Sequence, residues 1–170
     1  MDNSSLKYFF IITFPRISLG AFISLLGISM FIYPGSTYHN HETIGYFFNE
    51  NFLSDLGRTI THGDKNNFHS SILFNTALML GGITYIIFYT LIKKIFDSNI
   101  MSKLGSLFGI LGAFSMIGVG LTPSDLFFSE HVFFNMWLFR FFLLSTLCYT
   151  WLIYKNPKIN NYYLIGNFIF

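Results

Sequence analysis

The sequence is short of cysteine, of charged side chains and of any strong excess of one sign, and each shortage excludes a class of protein. Its single cysteine, Cys148, excludes an internal disulfide scaffold and a cysteine-rich zinc module. Charged residues make up 11% of the 170 residues, less than half the roughly 25% of an ordinary soluble domain, which excludes a disordered tail and a typical cytosolic enzyme. A net charge of +2 is too small to indicate a nucleic-acid partner.

Apolar side chains dominate instead, at 52% of the chain with a mean hydropathy of +0.52. A helix needs about 20 mostly apolar residues to cross a bilayer, where it must satisfy its own backbone hydrogen bonds. Four segments meet that length, at residues 15–33, 70–92, 104–121 and 132–154. The predicted fold class is therefore an all-α, polytopic transmembrane helix bundle that forms one domain over residues 1–170.

Both ends of the chain leave alternatives. The tail at residues 161–170 is apolar but only about half a span long, so it is interpreted as an interfacial segment or as an incomplete fifth helix. A cleaved signal peptide is the alternative for the first segment. Its basic region is thin and Pro15-Arg16 interrupts its apolar run, so we expect it to be retained as helix one.

Basic residues predict the orientation, because cytoplasmic loops of membrane proteins are enriched in lysine and arginine. Arg58 and Lys65 fall on one side of the four-helix arrangement. The other side carries Lys7, Arg16, Lys93, Lys94, Lys103, Lys155 and Lys158. We therefore expect a multi-pass protein of the plasma membrane, with a cytoplasmic amino terminus and a long outer loop at residues 34–69.

With this orientation the titratable side chains gather at the outer boundary. Every histidine and most carboxylates fall there: His39, His41, His62, His69 and His131, with Glu42, Glu50, Asp55, Asp64, Asp125 and Glu130. The sequence thus predicts a polar cluster of histidine, aspartate and asparagine side chains on the extracytoplasmic side.

The outer loop contains two patterns that favour either local structure or chemistry. Loops of this length without secondary structure of their own are uncommon and often functional. Ser54-Asp55-Leu56-Gly57 is typical of a turn or helix cap, and it also brings a hydroxyl next to a carboxylate. His39-x-His41-Glu42 contains zinc-ligand residue types on one face, but a single pair of this kind is common, so a solvated loop is favoured. An apolar stretch at residues 44–53 is predicted to lie as a short helix against the bundle or the membrane surface.

Three polar residues stand out within the predicted spans. Asn75 and Asn135 each have two interpretations, as a hydrogen bond to a neighbouring helix or as part of a site. Arg140 follows His131 by nine residues, so it lies about 13 Å deeper on the opposite helix face. A charge at that depth is costly unless paired, so we expect a partner inside the bundle. The counter-ion is then Asp55 or Asp125 of the outer loops, or a bound anionic lipid or ligand.

Small residues predict where helices approach closely. They recur at spacings of three and four on helices one and three: Gly20, Ser24 and Gly27, then Gly105, Gly109 and Gly112. Such stripes let membrane helices pack backbone to backbone. We expect helices one and three to meet along them, or the glycine-rich faces to join copies of the chain in a homo-oligomer.

Several short motifs together resemble a known membrane family. They are Ser54-Asp55-Leu56-Gly57, Leu73-Phe74-Asn75, Gly118-x-Gly-Leu-Thr-Pro123 and His131. This set is similar to the family catalogued as domain of unknown function nine-nine-eight and, more distantly, to the DRAM–Frag–Sfk membrane proteins. The resemblance implies a six-helix bundle, of which this chain supplies four helices and the start of a fifth. It also implies importance for Ser54, Asp55, Asn75, Pro123 and His131, but it brings no established reaction.

Two functional hypotheses follow. In the first, the chain is a non-enzymatic structural, lipid-binding or sensing unit among membrane lipids. Asp55 clamps the outer loop onto helices two and four, and Asn75, Asn135 and His131 complete a buried hydrogen-bond network.

In the second, the chain is a membrane-embedded hydrolase that acts on a lipid-like substrate at the outer leaflet. Ser54 or a water is then activated, with Asp55 and His131 as catalytic residues. A zinc cofactor belongs to this alternative only, and its ligands would be Asp55, His69 and His131.

Overall fold

The computed structural model describes residues 3–96, 99–157 and 159, and it is mainly helical. The helices are α1 (Asn3–Tyr8), α2 (Phe14–Ile32), α3 (Phe68–Ile92), α4 (Ile100–Leu121) and α5 (Phe128–Lys155). A π-helical turn, Phe9–Thr13, joins α1 to α2, and a 3₁₀ turn, Leu53–Gly57, lies in the loop before α3. Strand pairing in the described ranges is limited to one isolated bridge between Ile60 and Asn66.

Within the described residues, four helices are long and apolar enough to cross a membrane, which confirms the predicted all-α fold class. The last three begin two to four residues before the predicted positions. Two local signals set the ends of α4. The Asn99 side chain accepts a hydrogen bond from the Ser102 backbone N–H at 2.9 Å as the N-cap, and Pro123 prevents the helix from continuing. The predicted tail at 161–170 lies outside the described residues.

The first span starts earlier than the sequence predicts. Helix α1, the π turn and α2 run on continuously, so the apolar span covers Ser5–Ile32 rather than starting at Pro15. Proline lacks a backbone N–H and cannot bond the residue four positions earlier. The turn before Pro15 is π-helical instead, so each N–H donates to the carbonyl five residues earlier, as the Phe14 N–H does to the Phe9 carbonyl.

The spans pack in the order of the sequence, α2 on α3, α3 on α4 and α4 on α5. Helices α2 and α3 are antiparallel and joined by hydroxyl pairs. Ser18 Oγ lies 2.6 Å from Thr84 Oγ1 near one end, and Ser29 Oγ lies 2.8 Å from Ser70 Oγ near the other. We call the end that carries the α3–α4 connection the basic end, because it holds Lys7, Lys93, Lys94, Lys103 and Lys155. The opposite end, which holds the connection at residues 33–67, is the loop end.

The expectation that helices one and three meet along their glycines is wrong. Helix α2 packs mainly on α3, and a Cβ added to Gly20 or Gly27 would meet nothing within 4 Å, so these glycines face neither α3 nor α4. The glycines of α4 do allow close approach, but to the neighbours that short connections favour. Gly109 lies under the Tyr89 ring of α3, whereas Gly105 and Gly112 lie under rings of α5.

The spanning helices bury small polar residues and expose large apolar ones. Ser29, Ser102 and Ser145 are fully buried, whereas Ile17 and Phe31 are 60% and 90% exposed. The main apolar core lies at the loop end, where Tyr33, Leu56, Phe74, Leu78 and Val119 pack together. Small residues between helices and large apolar residues facing outward are typical of a bundle surrounded by lipid.

Gly82→Ala tests the packing of α3 on α4. The added Cβ would lie 2.7 Å from the Ala113 carbonyl oxygen, a backbone atom that cannot move cheaply. We expect a loss of about 1–3 kcal/mol, seen as a lower thermal unfolding midpoint in detergent. Gly20→Ala is the matched control and should leave the midpoint unchanged or slightly higher. Equal midpoints for the two variants would contradict this packing.

Candidate functional site

The loop at residues 33–67 is folded by its own hydrogen bonds into a compact cap over the loop end. It turns sharply at Gly35 and Ser36, whose φ angles are 108° and 75°. The Ser36 N–H donates to the Thr43 carbonyl at 2.9 Å, which closes the first turn. A Cβ at Gly35 would collide with that same carbonyl oxygen, so this position requires glycine.

Asp55 is the centre of this cap. Its side chain is 3% exposed and accepts hydrogen bonds from the Phe52 backbone N–H at 3.0 Å and from Asn51 Nδ2 at 3.1 Å. The remaining oxygen, Oδ1, lies 3.0 Å from His62 Nε2. Because an ionised carboxylate only accepts, Nε2 carries the proton in this contact. The bond from Phe52 caps the 3₁₀ turn. The segment Ser54–Gly57 is therefore a turn with a helix cap, as one of its two interpretations predicts.

Tyr33 lies against the same carboxylate from the end of the first span. Its hydroxyl donates to the Ser36 carbonyl at 3.1 Å, and its side chain is almost fully buried. Burial, and then the negative charge of Asp55, raise the pKa of Tyr33 to about 12. The phenol therefore stays neutral and serves as a hydrogen-bond donor rather than as a base.

Asp125 is a second carboxylate that binds loop backbone. It lies in the turn between α4 and α5 and accepts from the Thr59 N–H at 3.0 Å, the Ile60 N–H at 3.0 Å and the Thr59 hydroxyl. Burial raises the pKa of Asp125. Its hydrogen bonds lower the pKa by more than burial raises it, so the net pKa lies below its ordinary value. Asp125 thus holds the loop to the α4–α5 turn.

The start of α3 supplies donors to the carbonyls of the 3₁₀ turn. Asn67 Nδ2 donates to the Arg58 carbonyl at 2.8 Å and to the Leu56 carbonyl at 3.1 Å. Ser71 Oγ and Asn75 Nδ2 both donate to the Gly57 carbonyl, at 2.9 and 3.2 Å. Positions 67, 71 and 75 share one helix face, so a single stripe of α3 satisfies the turn. Asn75 therefore contacts the loop rather than another helix.

His131 is buried but is not part of the Asp55 cluster. Its side chain Nδ1 lies 2.7 Å from the Thr122 carbonyl, to which it donates, and the residue is 6% exposed. Its Nε2 has no hydrogen-bond partner among the described residues. His131 therefore fixes the turn from α4 into α5, next to Pro123.

The structure does not bring the other predicted site residues together. Ser54 makes no side-chain hydrogen bond to His62 or Asp55. The side chain of Asn135 makes no hydrogen bond within the described part of the chain. His69 is exposed beside the Phe68 ring. Among the residues described, no three histidine, cysteine, aspartate or glutamate side chains are close enough to hold a metal. This applies to the expected zinc ligands Asp55, His69 and His131, and to the exposed His39, His41 and Glu42.

Arg140 makes no ion pair with any residue that the structure describes, in contrast to the expectation. It is exposed, and its guanidinium lies over the ring of Trp137 on its own helix, 5.3 Å from the centroid. The nine-residue offset from His131 does place it on the opposite face, but that face of α5 points away from the other helices. Neither Asp55 nor Asp125 reaches it, because both carboxylates bind the loop.

His62 is the site residue that the sequence argument missed. It carries no motif signal, and its contact with Asp55 depends on the fold of the residues between them. An imidazole oriented by a carboxylate can act as a general base or as a charge-assisted hydrogen bond. Its side chain is 15% exposed, so it is accessible from one edge of the cap. The apolar stretch at 44–53 forms turns rather than the expected short helix up to the 3₁₀ turn, and it exposes Ile44, Phe48 and Phe52.

Acid should loosen the Asp125 attachment. A carboxyl whose pKa is lower in the folded than in the unfolded state stabilises the fold above the unfolded value, near 3.8 here, and this stabilisation is lost as the pH falls through the folded value. Asp125→Asn should lower stability at neutral pH by about 1–3 kcal/mol and weaken the acid dependence of the unfolding midpoint as the pH falls from about 5 through 3.8 and below. Asp64→Asn changes an exposed residue of the loop that Asp125 binds, and it should behave as wild type. Identical acid profiles for wild type, Asp125→Asn and Asp64→Asn would contradict the attachment.

Comparison with protein families, with curated proteins and with solved structures gives no match. The site is therefore interpreted from its own geometry. The resemblance to the family of unknown function, carried by Ser54–Gly57, Leu73–Asn75, Gly118–Pro123 and His131, stays a prediction.

Proposed function

We propose that the chain is a non-enzymatic, multi-pass protein of the plasma membrane that holds a rigid cap at the extracytoplasmic surface. The observation that carries this proposal is that the carboxylates of Asp55 and Asp125 both bind the loop backbone. Asp55 and Asp125 both accept backbone N–H groups of the loop, from Phe52 and from Thr59 and Ile60. A carboxylate committed to several hydrogen bonds stabilises structure and has little capacity left to act as a base.

The position of the cap supports contact with lipid headgroups. Several large apolar side chains of the loop are exposed, among them Ile44 at 83%, Phe48 at 77% and Phe52 at 65%. Aromatic and aliphatic side chains at the edge of a bundle anchor it at the boundary between membrane and water. The cap is thus proposed to rest on the outer leaflet, while the α3 stripe and Asp125 hold it to the bundle.

The orientation is tested with single cysteines. In a Cys148→Ser background, we expect His41→Cys to react with a membrane-impermeant maleimide on intact cells. Lys103→Cys, exposed at the basic end, should react only after permeabilisation, because lysine-rich ends stay in the cytoplasm. Labelling of Lys103→Cys on intact cells with His41→Cys protected would reverse the proposed orientation.

One observation favours the hydrolase as a second candidate. Asp55 and His62 form a carboxylate–imidazole pair at 3.0 Å, and His62 is partly accessible. Such a pair can activate a water at an ester bond. In this candidate His62 has the catalytic role that the sequence analysis assigned to His131, and the reaction requires no metal.

His62→Gln separates the two candidates. On the structural proposal, the purified wild type releases no more fatty acid or headgroup from phospholipid vesicles than His62→Gln does. His69→Gln is the matched control, because His69 is exposed and does not bond Asp55. Turnover that is lost in His62→Gln, kept in His69→Gln, and independent of unfolding midpoint would establish the hydrolase instead.

A further inference from the structure

A groove opens between α2, α3 and α4 in the half of the bundle near the basic end. Its volume is about 390 Å³, within the range of about 300–1,000 Å³ that small-ligand pockets occupy. Its wall includes Leu19 of α2, Gly81 of α3 and Met116 of α4. Gly81 contributes to this space because it has no side chain of its own. The groove belongs to neither of the carboxylate clusters at the loop end.

The two buried hydroxyls that line the groove are already paired, and the third hydroxyl in the lining, that of Tyr85, belongs to an exposed residue. The buried pair is Ser18 Oγ and Thr84 Oγ1, which lie 2.6 Å apart, and Thr84 also donates to the Leu80 carbonyl at 2.8 Å. Polar groups that are already paired need no hydrogen bond from a ligand. The interior of the groove therefore suits a hydrocarbon chain.

The rim of the groove carries one cation. Arg16 lines it, is exposed, and has no hydrogen bond or ion pair with any described residue. The Ser18–Thr84 bond sets its depth, since Thr84 lies nine residues before Lys93. By helical rise, the Arg16 backbone is about 10 Å short of the Lys93 level, a distance that a long side chain can largely cover by snorkelling. Its guanidinium then lies close to the phosphates of the adjacent leaflet, and a phosphate is the partner that its planar donors fit best.

We propose that this groove binds one anionic glycerophospholipid, with an acyl chain against Leu19 and Gly81 and the phosphate on Arg16. The charge selects the occupant, because the phosphate of an anionic lipid is not balanced by a cation in its own headgroup, as the phosphate of phosphatidylcholine is, and it therefore pairs more strongly with the guanidinium. This site goes beyond the proposed function and does not depend on which side of the membrane the basic end faces.

The test measures retained lipid by native mass spectrometry of the purified protein. Phosphatidylglycerol or phosphatidylcholine is added in detergent. We expect one phosphatidylglycerol per chain on the wild type and at least tenfold less phosphatidylcholine. Arg16→Gln and Leu19→Trp should each lower phosphatidylglycerol binding at least tenfold, the first by removing the cation and the second by filling the groove.

Two matched controls separate the site from general effects. Lys103→Gln removes an exposed charge at the same end, and Ile23→Trp adds the same bulk to an exposed position of α2 outside the groove. Both should bind as wild type does. The unfolding midpoint of every variant is measured in parallel, and Arg16→Gln, at an exposed residue, carries the test if Leu19→Trp does not fold.

Four results would overturn the proposal. Equal binding of the two lipids would remove the role of charge, and unchanged binding in Arg16→Gln would remove the role of that residue. Loss in Arg16→Gln with full retention in a folded Leu19→Trp would show attraction to headgroups without a groove. A dimer that carries no lipid and dissociates in Leu19→Trp would show that a second copy of the chain occupies the groove.

Discussion

The cap at the loop end depends on hydrogen bonds from loop backbone to two carboxylates. The connection between α2 and α3 has little regular secondary structure, so many of its N–H groups need partners elsewhere. Asp55 satisfies one N–H inside the loop, and Asp125 satisfies two from a different part of the chain. Bonds to an ionised acceptor are stronger than neutral ones. They give an irregular segment a fixed shape and tie it to the turn between the last two spans.

Local features of the sequence were enough to predict the spans and the turn at Ser54–Gly57, but not the contacts that hold the rest of the cap. A transmembrane helix is a property of one continuous segment, since length and hydropathy decide it. The partners of the carboxylates are not local: Thr59 and Asp125 are 66 residues apart, and His62 has no pattern around it. Arg140 illustrates the same limit. Helical geometry correctly separates it from His131, but which face meets other helices is a tertiary property.

Hydrogen bonds from hydroxyl groups hold the helices of the bundle together, whereas large apolar side chains do so inside a soluble protein. Ser145 donates to the Gly105 carbonyl, and Ser106 bonds the Tyr149 hydroxyl at 2.6 Å, so α4 and α5 are joined by hydrogen bonds where the backbones approach. Lipid tails are as apolar as leucine, and burial alone gives helices no reason to associate.

The serial packing of the spans has a consequence for how the molecule is made. Each helix packs on the one that precedes it, and no helix must wait for a distant partner before it docks. Contacts between neighbours in sequence close small loops and form quickly. Assembly can therefore proceed during synthesis, one helix at a time as each leaves the ribosome. The contacts of the cap with α4 and with the turn after it, such as the Thr59–Asp125 attachment and the packing of Leu56 with Val119, have to wait, so the cap is fixed to the rest of the molecule after α4 is in place.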